Sequence, residues 1–379
     1  MSDDLSFPAA TMGGAHPLLP VATPLLRSGG DGLQIGGVDS SDGVLVSPAD
    51  RGTAALLRGL DGRRPQRTVL ADAARSGQDT EATASLLESL RATGLLVDLD
   101  PDDLLAADAG PAAAARTAPE LPAALSRSGS TSWRTRRAAA VVVDGATRVG
   151  APLAAILAAS GIGRVSVRDA GLVEAGDAVV GGLSSADEGR PRCLAAADAV
   201  RRASPLTDLR PLPDGASSDL VVLARPWAAS DPLVGAYQRA GQPHLVATVR
   251  GQTGVVGPLV VPGRTACLRC GERHRRDADP RWPELAAQLT AEDPPPSGAT
   301  VTCLLTAVVA AVQVLAYLDG AACADGPAPV VLDATLELRL PALLPELRRW
   351  PPHPACSCRA AATLLEPAVG ERSTRQKSH

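Results

Sequence analysis

Aromatic side chains are scarce in this 379-residue chain: one Phe, two Tyr and four Trp make up 2% of it. Stacking platforms for exposed bases are therefore few, and the formal net charge of −4 offers no general footprint for a phosphate backbone, although Arg134, Arg136 and Arg137 form a local basic run. Nucleic acid is not an expected partner. The only lysine is Lys377, in a polar carboxy-terminal tail. A phosphate loop of the Walker type needs a fixed lysine, so that mechanism is closed. The amino terminus, Met1-Ser2-Asp3-Asp4, is acidic and lacks a following apolar core, which argues against a secretory signal and predicts a cytoplasmic setting with reduced thiols. Residues 301–318 carry no charge, but Gln313 and the polar atoms of Thr302, Cys303 and Thr306 predict a buried core helix there and no membrane span.

The 45% hydrophobic content suits one large core or two moderate ones, built from Leu, Val and Ala. Four of the seven cysteines come as two pairs, Cys267-Leu268-Arg269-Cys270 and Cys356-Ser357-Cys358. Both follow turn-like segments, 262–266 and 351–354, where chelating loops belong. Together they have the composition of a four-thiolate zinc knot closing two distant segments, and four thiolates leave no ligand position for a catalytic water. A redox role for the first pair, or replacement of a thiolate by His353 or His274, are the alternatives. Cys193, Cys303 and Cys323 stand singly, as small buried apolar side chains do.

Residues 1–100 read as a compact unit. Strands are expected at 32–36 and 43–46, followed by a helix opened by Ser47 and Pro48 that ends near Gly62, a second helix over 68–75 and a third from Asp79 or Thr80. The stretch 94–98 turns extended, and the order suggests a small winged helix of the α+β class. Residues 101–132 mix Ala, Pro, Asp and Ser as linkers do. Over 133–366 strands and helices alternate, which predicts an α/β domain with a mostly parallel, Rossmann-like sheet. Its strands are expected at 138–143, 164–168, 220–223, 244–249, 255–261 and 329–332, and its helices at 149–160, 194–204, 232–239 and 301–318. Residues 367–379 read as a disordered tail.

The first of these strands enters Asp144-Gly145-Ala146-Thr147-Arg148-Val149-Gly150 and then a helix, the setting in which a Gly-rich turn cradles phosphates. Gly145 and Gly150 hold the outer glycine positions, while Thr147 and Arg148 put side chains where close backbone approach wants none. Asp169, at the end of the next strand, is placed to bind a ribose hydroxyl. Together with Gly161 to Asp169, the Cys267–Cys270 pair, a long apolar helix and a closing cysteine pair, this order resembles the ThiF/MoeB group of ubiquitin-activating-enzyme-like adenylyltransferases over about 135–360. The resemblance implies a fold that binds ATP, activates the terminal carboxylate of a small carrier protein as an acyl adenylate, often holds a structural zinc, and dimerises. The family's GxGGxG turn, its acidic, asparagine and arginine run after the ribose aspartate, its Thr-Asp-Asn magnesium site and its phosphate lysine all lack counterparts here. Asp219 to Trp227 ends in Arg225-Pro226-Trp227 instead. ATP binding is thus doubtful, and no catalytic residue is assigned.

Leu33-Gln34-Ile35-Gly36, Leu57 to Gly62 and Leu86 to Leu96 are similar to the winged-helix peptide-recognition module of peptide natural-product biosynthesis. In the azoline-forming cyclodehydratases that module is fused to a ThiF-like domain and delivers a leader peptide to a YcaO-type enzyme. The resemblance implies a homodimeric scaffold that binds a peptide along Leu33, Gln34, Ile35 and Gly36 and presents it to a partner enzyme. Two rivals follow from the same residues: a working adenylyltransferase, with Arg148 and Arg225 replacing the missing cations, and a dinucleotide-dependent oxidoreductase, which Asp169 permits.

Overall fold

The computed structural model describes residues 15–37, 43–99, 120, 132–213, 216–226, 231–289, 298–322, 328–341 and 345–359. The predicted tail, nearly all of the predicted linker, Trp227 and Cys323 lie outside the described residues.

The amino-terminal part holds strands β1 (His16–Leu18), β2 (Leu25–Ser28), β3 (Gly32–Ile35), β4 (Val44–Val46) and β5 (Val97–Leu99) with helices α1 (Arg51–Arg58), α2 (Gln66–Arg75) and α3 (Thr80–Ala92). Strands β2, β3 and β4 form one antiparallel sheet in that order, and β1 pairs with β5. Alternation sets the faces: Leu33 and Ile35 are buried against Leu57, Leu87 and Leu90, whereas Leu26, Gln34 and Leu45 form a row across the opposite face. Leu26 and Leu45 are exposed. Helix α1 starts later than the expected Ser47–Pro48 opening because Asp50 is its cap, accepting from the Thr53 amide at 2.7 Å. Asp79 caps α3, as its position before an apolar-periodic run predicts.

A seven-stranded sheet organises the rest. In sequence order its strands are β6 (Ala140–Asp144), β7 (Arg164–Arg168), β8 (Leu220–Leu223), β9 (His244–Arg250), β10 (Thr253–Val260), β11 (Ala334–Arg339) and β12 (Glu346–Arg349), arranged β12-β11-β10-β9-β8-β6-β7. The β6–β7, β6–β8 and β8–β9 pairs are parallel, and the β9–β10, β10–β11 and β11–β12 pairs are antiparallel. The sheet is therefore mixed, and the mostly parallel expectation is corrected. Only two residues, Gly251 and Gln252, separate β9 from β10, too few for a parallel crossover. The strand expected at 329–332 is also displaced: Leu332 makes only an isolated bridge to Leu259, and pairing starts at Ala334.

Helices α4 (Ser132–Ala138), α5 (Gly150–Ala159), α6 (Arg192–Ala203), α7 (Pro232–Arg239), α8 (Leu268–Ala278), α9 (Trp282–Leu289) and α10 (Thr300–Ala322) complete this part. By length and composition α10 could cross a membrane. Its Cys303, Ala307, Ala310, Ala311, Val314 and Leu318 instead pack with α5 and the sheet in the main core, as the sequence predicts. A buried ion pair fixes it further: Arg136 Nε donates to Asp319 Oδ1 at 2.7 Å, and both side chains are withdrawn from solvent.

Candidate metal centre and nucleotide-type cleft

Cys267 is the cap residue of α8 and Cys270 lies in its first turn, so the first pair opens a helix and does not sit in a free loop. That placement aims both thiols at the helix amino terminus, whose dipole favours thiolate. Cys356 and Cys358 come from the segment after β12. The Sγ atoms of Cys267 and Cys270 are 3.8 Å apart, those of Cys267 and Cys356 3.6 Å, and those of Cys270 and Cys358 3.5 Å; all four lie within 4.8 Å of one another. A disulfide would need about 2.05 Å, while a tetrahedron with metal–sulfur bonds of about 2.3 Å has edges of about 3.8 Å. The four thiols can therefore hold one metal ion. Burial pushes the Cys267 and Cys270 thiols up, Cys270 to about 11, so a metal must supply the charge that makes them thiolates. The two histidines are engaged elsewhere. His353 Nε2 meets Asp277 Oδ2 at 2.8 Å while its Nδ1 accepts from the Ala355 amide, and His274 Nε2 meets the Pro351 carbonyl at 2.9 Å.

The second feature is a cleft of about 1020 Å3 at the carboxyl ends of β6, β7 and β8, the place where open α/β sheets bind ligands. Gly145 has φ +113°, and a Cβ on it would lie 2.9 Å from the Arg225 backbone nitrogen; a Cβ on Gly150 would lie 1.9 Å from the Gly145 carbonyl oxygen. Only glycine fits either position. Asp169 is fixed by the turn itself, its two oxygens accepting from the amides of Ala146 and Gly171, each at 2.8 Å.

Thr147 and Arg148 fill this turn with their own contacts. Thr147 Oγ1 donates to the Ala224 carbonyl at 2.7 Å and accepts from the Val149 and Gly150 amides at 3.3 and 3.1 Å. Those amides belong to the start of α5, where a phosphate would otherwise be received. Arg148 lines the cleft but is engaged by the chain, donating to the Gly298 carbonyl and Thr300 Oγ1, each at 2.8 Å. Arg225 donates to Asp144 Oδ1 at 3.1 Å and Asp231 Oδ2 at 3.0 Å. Neither arginine stands as a free replacement cation. Sequence reasoning missed two others that line the cleft, Arg168 at the end of β7 and Arg192 at the start of α6. Arg192 is held by Asp177 at 2.8 Å, and no Gly-rich or lysine motif marks either position.

Leu33, Gln34 and Ile35 are not an edge strand. They form β3, the middle strand, with β2 on one side and β4 on the other, and Gly36 lies just beyond it at φ +67°. Their main chain is already paired, so the expected addition of a peptide along 33–36 is corrected: the open edges of this sheet belong to β2 and β4.

The sequence profile of the ThiF family matches residues 123–358. The chain belongs to the ThiF family. Solved structures with the same fold include E. coli MccB with ATP, at 17% identity and a TM-score of 0.59 over 90% of this chain and 99% of that one. The microcin C7 biosynthetic enzyme MccB in complex with N-formylated MccA is similar at 16% identity and a TM-score of 0.59, again over 90% and 99%. PaaA, at 16% identity, has a TM-score of 0.53 over 86% of this chain and 98% of its own. No curated protein sequence matches. In this ThiF-family chain, then, the thiol cluster and the glycine-bounded cleft share one mixed sheet.

Proposed function

We propose that this ThiF-family protein is a peptide-binding scaffold whose cleft does not run adenylation, with a structural zinc held by Cys267, Cys270, Cys356 and Cys358. The observation that carries the reading is at Thr147: its hydroxyl takes the amides of Val149 and Gly150, so the start of α5 is capped by protein. With Arg225 tied between Asp144 and Asp231, the charge a transferring phosphate needs is spent on internal pairs. Residues 1–100 serve as the winged-helix recognition module and 133–366 as the ThiF-like domain. A leader peptide or small carrier adds as a strand to β2 or β4, with Leu26 and Leu45 as apolar contacts beside Gln34. The fit of 90% of this chain to MccB, which has been solved in complex with N-formylated MccA, supports a ligand bound by the combined domains. The scaffold works as a cytoplasmic homodimer beside a YcaO-type partner enzyme. Calorimetric titration with Mg-ATP tests it: no micromolar binding is expected, and a micromolar dissociation constant overturns the degenerate cleft.

An active adenylyltransferase is the second reading. Exposed Arg168 and half-buried Arg192 favour it, because both line the cleft and could face a triphosphate. ATP–pyrophosphate exchange driven by a peptide carboxylate would establish it. Asp169, which accepts from two backbone amides, gives the dinucleotide reading no further support.

A further inference from the structure

Helix α8 carries more of the metal centre than its cysteines. Cys270, His274 and Asp277 follow one another at spacings of four and three residues, so they lie along one face of the helix. At a rise of about 1.5 Å per residue that face runs about 10 Å beyond the Cys270 thiol. The chain after β12 is laid along it. His274 Nε2 donates to the Pro351 carbonyl at 2.9 Å, and the centre of its ring lies 6.4 Å from that of Trp350 and, edge to face, 4.8 Å from that of His353. At the far end His353 Nε2 meets Asp277 Oδ2 at 2.8 Å.

The local sequence puts this work on His353. In Pro351-Pro352-His353-Pro354 each proline has a fixed φ and no amide hydrogen. The single N–H left in that run, that of His353, is directed at the Cys270 thiol. The His353 carbonyl accepts from the Cys356 amide at 2.9 Å, which turns the chain back toward α8, where Cys356 meets Cys267 and Cys358 meets Cys270. Both ring nitrogens are occupied: Nδ1 accepts from the Ala355 amide at 3.1 Å, so Nε2 carries the hydrogen and donates to Asp277. The side chain is only 10% exposed. Each polar group of His353 is therefore used, two toward α8 and two toward the segment that carries the second thiol pair. None of these contacts passes through a metal.

We propose that His353, held by Asp277 and backed by His274, is a positioning residue for the metal centre: it clasps the second thiol pair against α8 before a metal binds and delays the metal's departure afterwards. The proposal rests on the four-thiolate reading of the cluster. A site drawn from two distant segments must order both before it can chelate, and the prolines and the clasp remove part of that cost in advance. Release needs the two thiol pairs to part, and the pairs cannot part until the Asp277 and Pro351 contacts open. His353 acts here through the cysteines and is not itself a ligand, because neither ring nitrogen is free.

The test uses the full-length protein loaded with zinc and mixed with an excess of a chromogenic chelator, the rate of zinc loss being read. His353→Ala should speed the loss about ten-fold, the lower end of what outer contacts of metal ligands are worth. His353→Gln keeps a donor for Asp277 and should restore most of the difference, and combining Asp277→Ala with His353→Ala should release zinc no faster than His353→Ala alone. Asp279→Asn, just past the end of the same helix and paired with Arg281, should leave the rate as it is. A second arm needs no metal: after chelation, the thiols should react faster with a chromogenic disulfide reagent in His353→Ala than in the wild type, with the far-ultraviolet dichroism of the two unchanged. An unaltered release rate in His353→Ala, equal acceleration by Asp279→Asn, or metal-free thiols that react alike in both proteins would each overturn the clasp. A wild type that takes up no zinc would refute the four-thiolate reading, and the metal-free arm would still decide whether His353 holds the two segments together.

Discussion

Replacing Cys356 with Ser tests the metal centre most directly. The cluster joins residues 267 and 358, so the metal closes a loop of 358 − 267 = 91 residues. A cross-link around about 90 residues removes roughly 4–5 kcal/mol of unfolded-state entropy in the chain-entropy treatment. For a domain of this size about 1 kcal/mol moves the melting temperature by about 2–4 °C, so complete loss of the clip predicts a fall of about 10–20 °C. Removing one thiol leaves three ligands, and the partly bound metal should place Cys356→Ser toward the lower end of that range. Chelation of the wild type should reach the upper end. The assay is a thermal melt run beside elemental analysis of the same sample, one zinc per chain being expected for the wild type and a clear deficit for the variant. A full complement of zinc in Cys356→Ser would refute the four-thiolate site. A wild-type melting temperature unmoved by chelation would refute the idea that the metal joins α8 to the segment after β12.

Other consequences are equally accessible. Asp319→Ala should destabilise the protein by about 3–5 kcal/mol in denaturant titration, because it leaves the Arg136 charge buried and unpaired, while the paired Arg136→Met, Asp319→Leu change should restore much of the loss. Asp208, paired with Arg210 and Arg164, has its carboxyl held well below the usual range, which contributes stability present above the unfolded value and lost as the pH falls through the folded one. Asp208→Asn should therefore melt lower than the wild type at pH 7, with the gap shrinking below about pH 4. At the amino-terminal sheet, Leu45→Asp should weaken binding of a leader peptide about ten-fold by removing one buried leucine contact, whereas Gln34→Ala should do little; amide NMR shifts that ignore Leu45→Asp would exclude that face.

The parallel half of the fold was legible because local chemistry and tertiary environment agree there. Arg164–Arg168 alternates polar and β-branched apolar residues, Leu220–Leu223 is a continuous apolar run, and Asp231 followed by Pro232 announces a helix start. The antiparallel half was harder. Strand β12 is Glu-Leu-Arg-Arg, exposed at every position, and is held as a strand by its pairing with β11. Helix α8 reads as a charged run, and its apolar face is only Leu268, Cys270 and Gly271. The apolar run before Asp333 drew the start of the strand assignment five residues too early, since burial in a turn and burial in a sheet look alike in sequence. The same limit explains Leu33 to Ile35: a short apolar strand reads identically at an edge and in the middle, because strand order is decided by β2 and β4.

The cleft shows why the missing motif residues cannot be considered one at a time. Arg225 has Asp144 and Asp231 as partners, and Asp144 has one oxygen on Arg225 and the other buried without a partner among the described residues. Removing Arg225 to clear the cleft would strand the mostly buried Asp144 carboxylate, and neutralising Asp144 would loosen Arg225 into the space a phosphate needs. Thr147 bonds to the Ala224 carbonyl, the residue before Arg225, so this hydroxyl ties the turn after β6 to the end of β8 beside the Asp144–Arg225 pair. A glycine at Thr147 would free the Val149 and Gly150 amides for an anion but would cut that link. The departures from the family turn therefore behave as one set, in which each residue satisfies a group that another exposes, so no single substitution is expected to restore the family's arrangement.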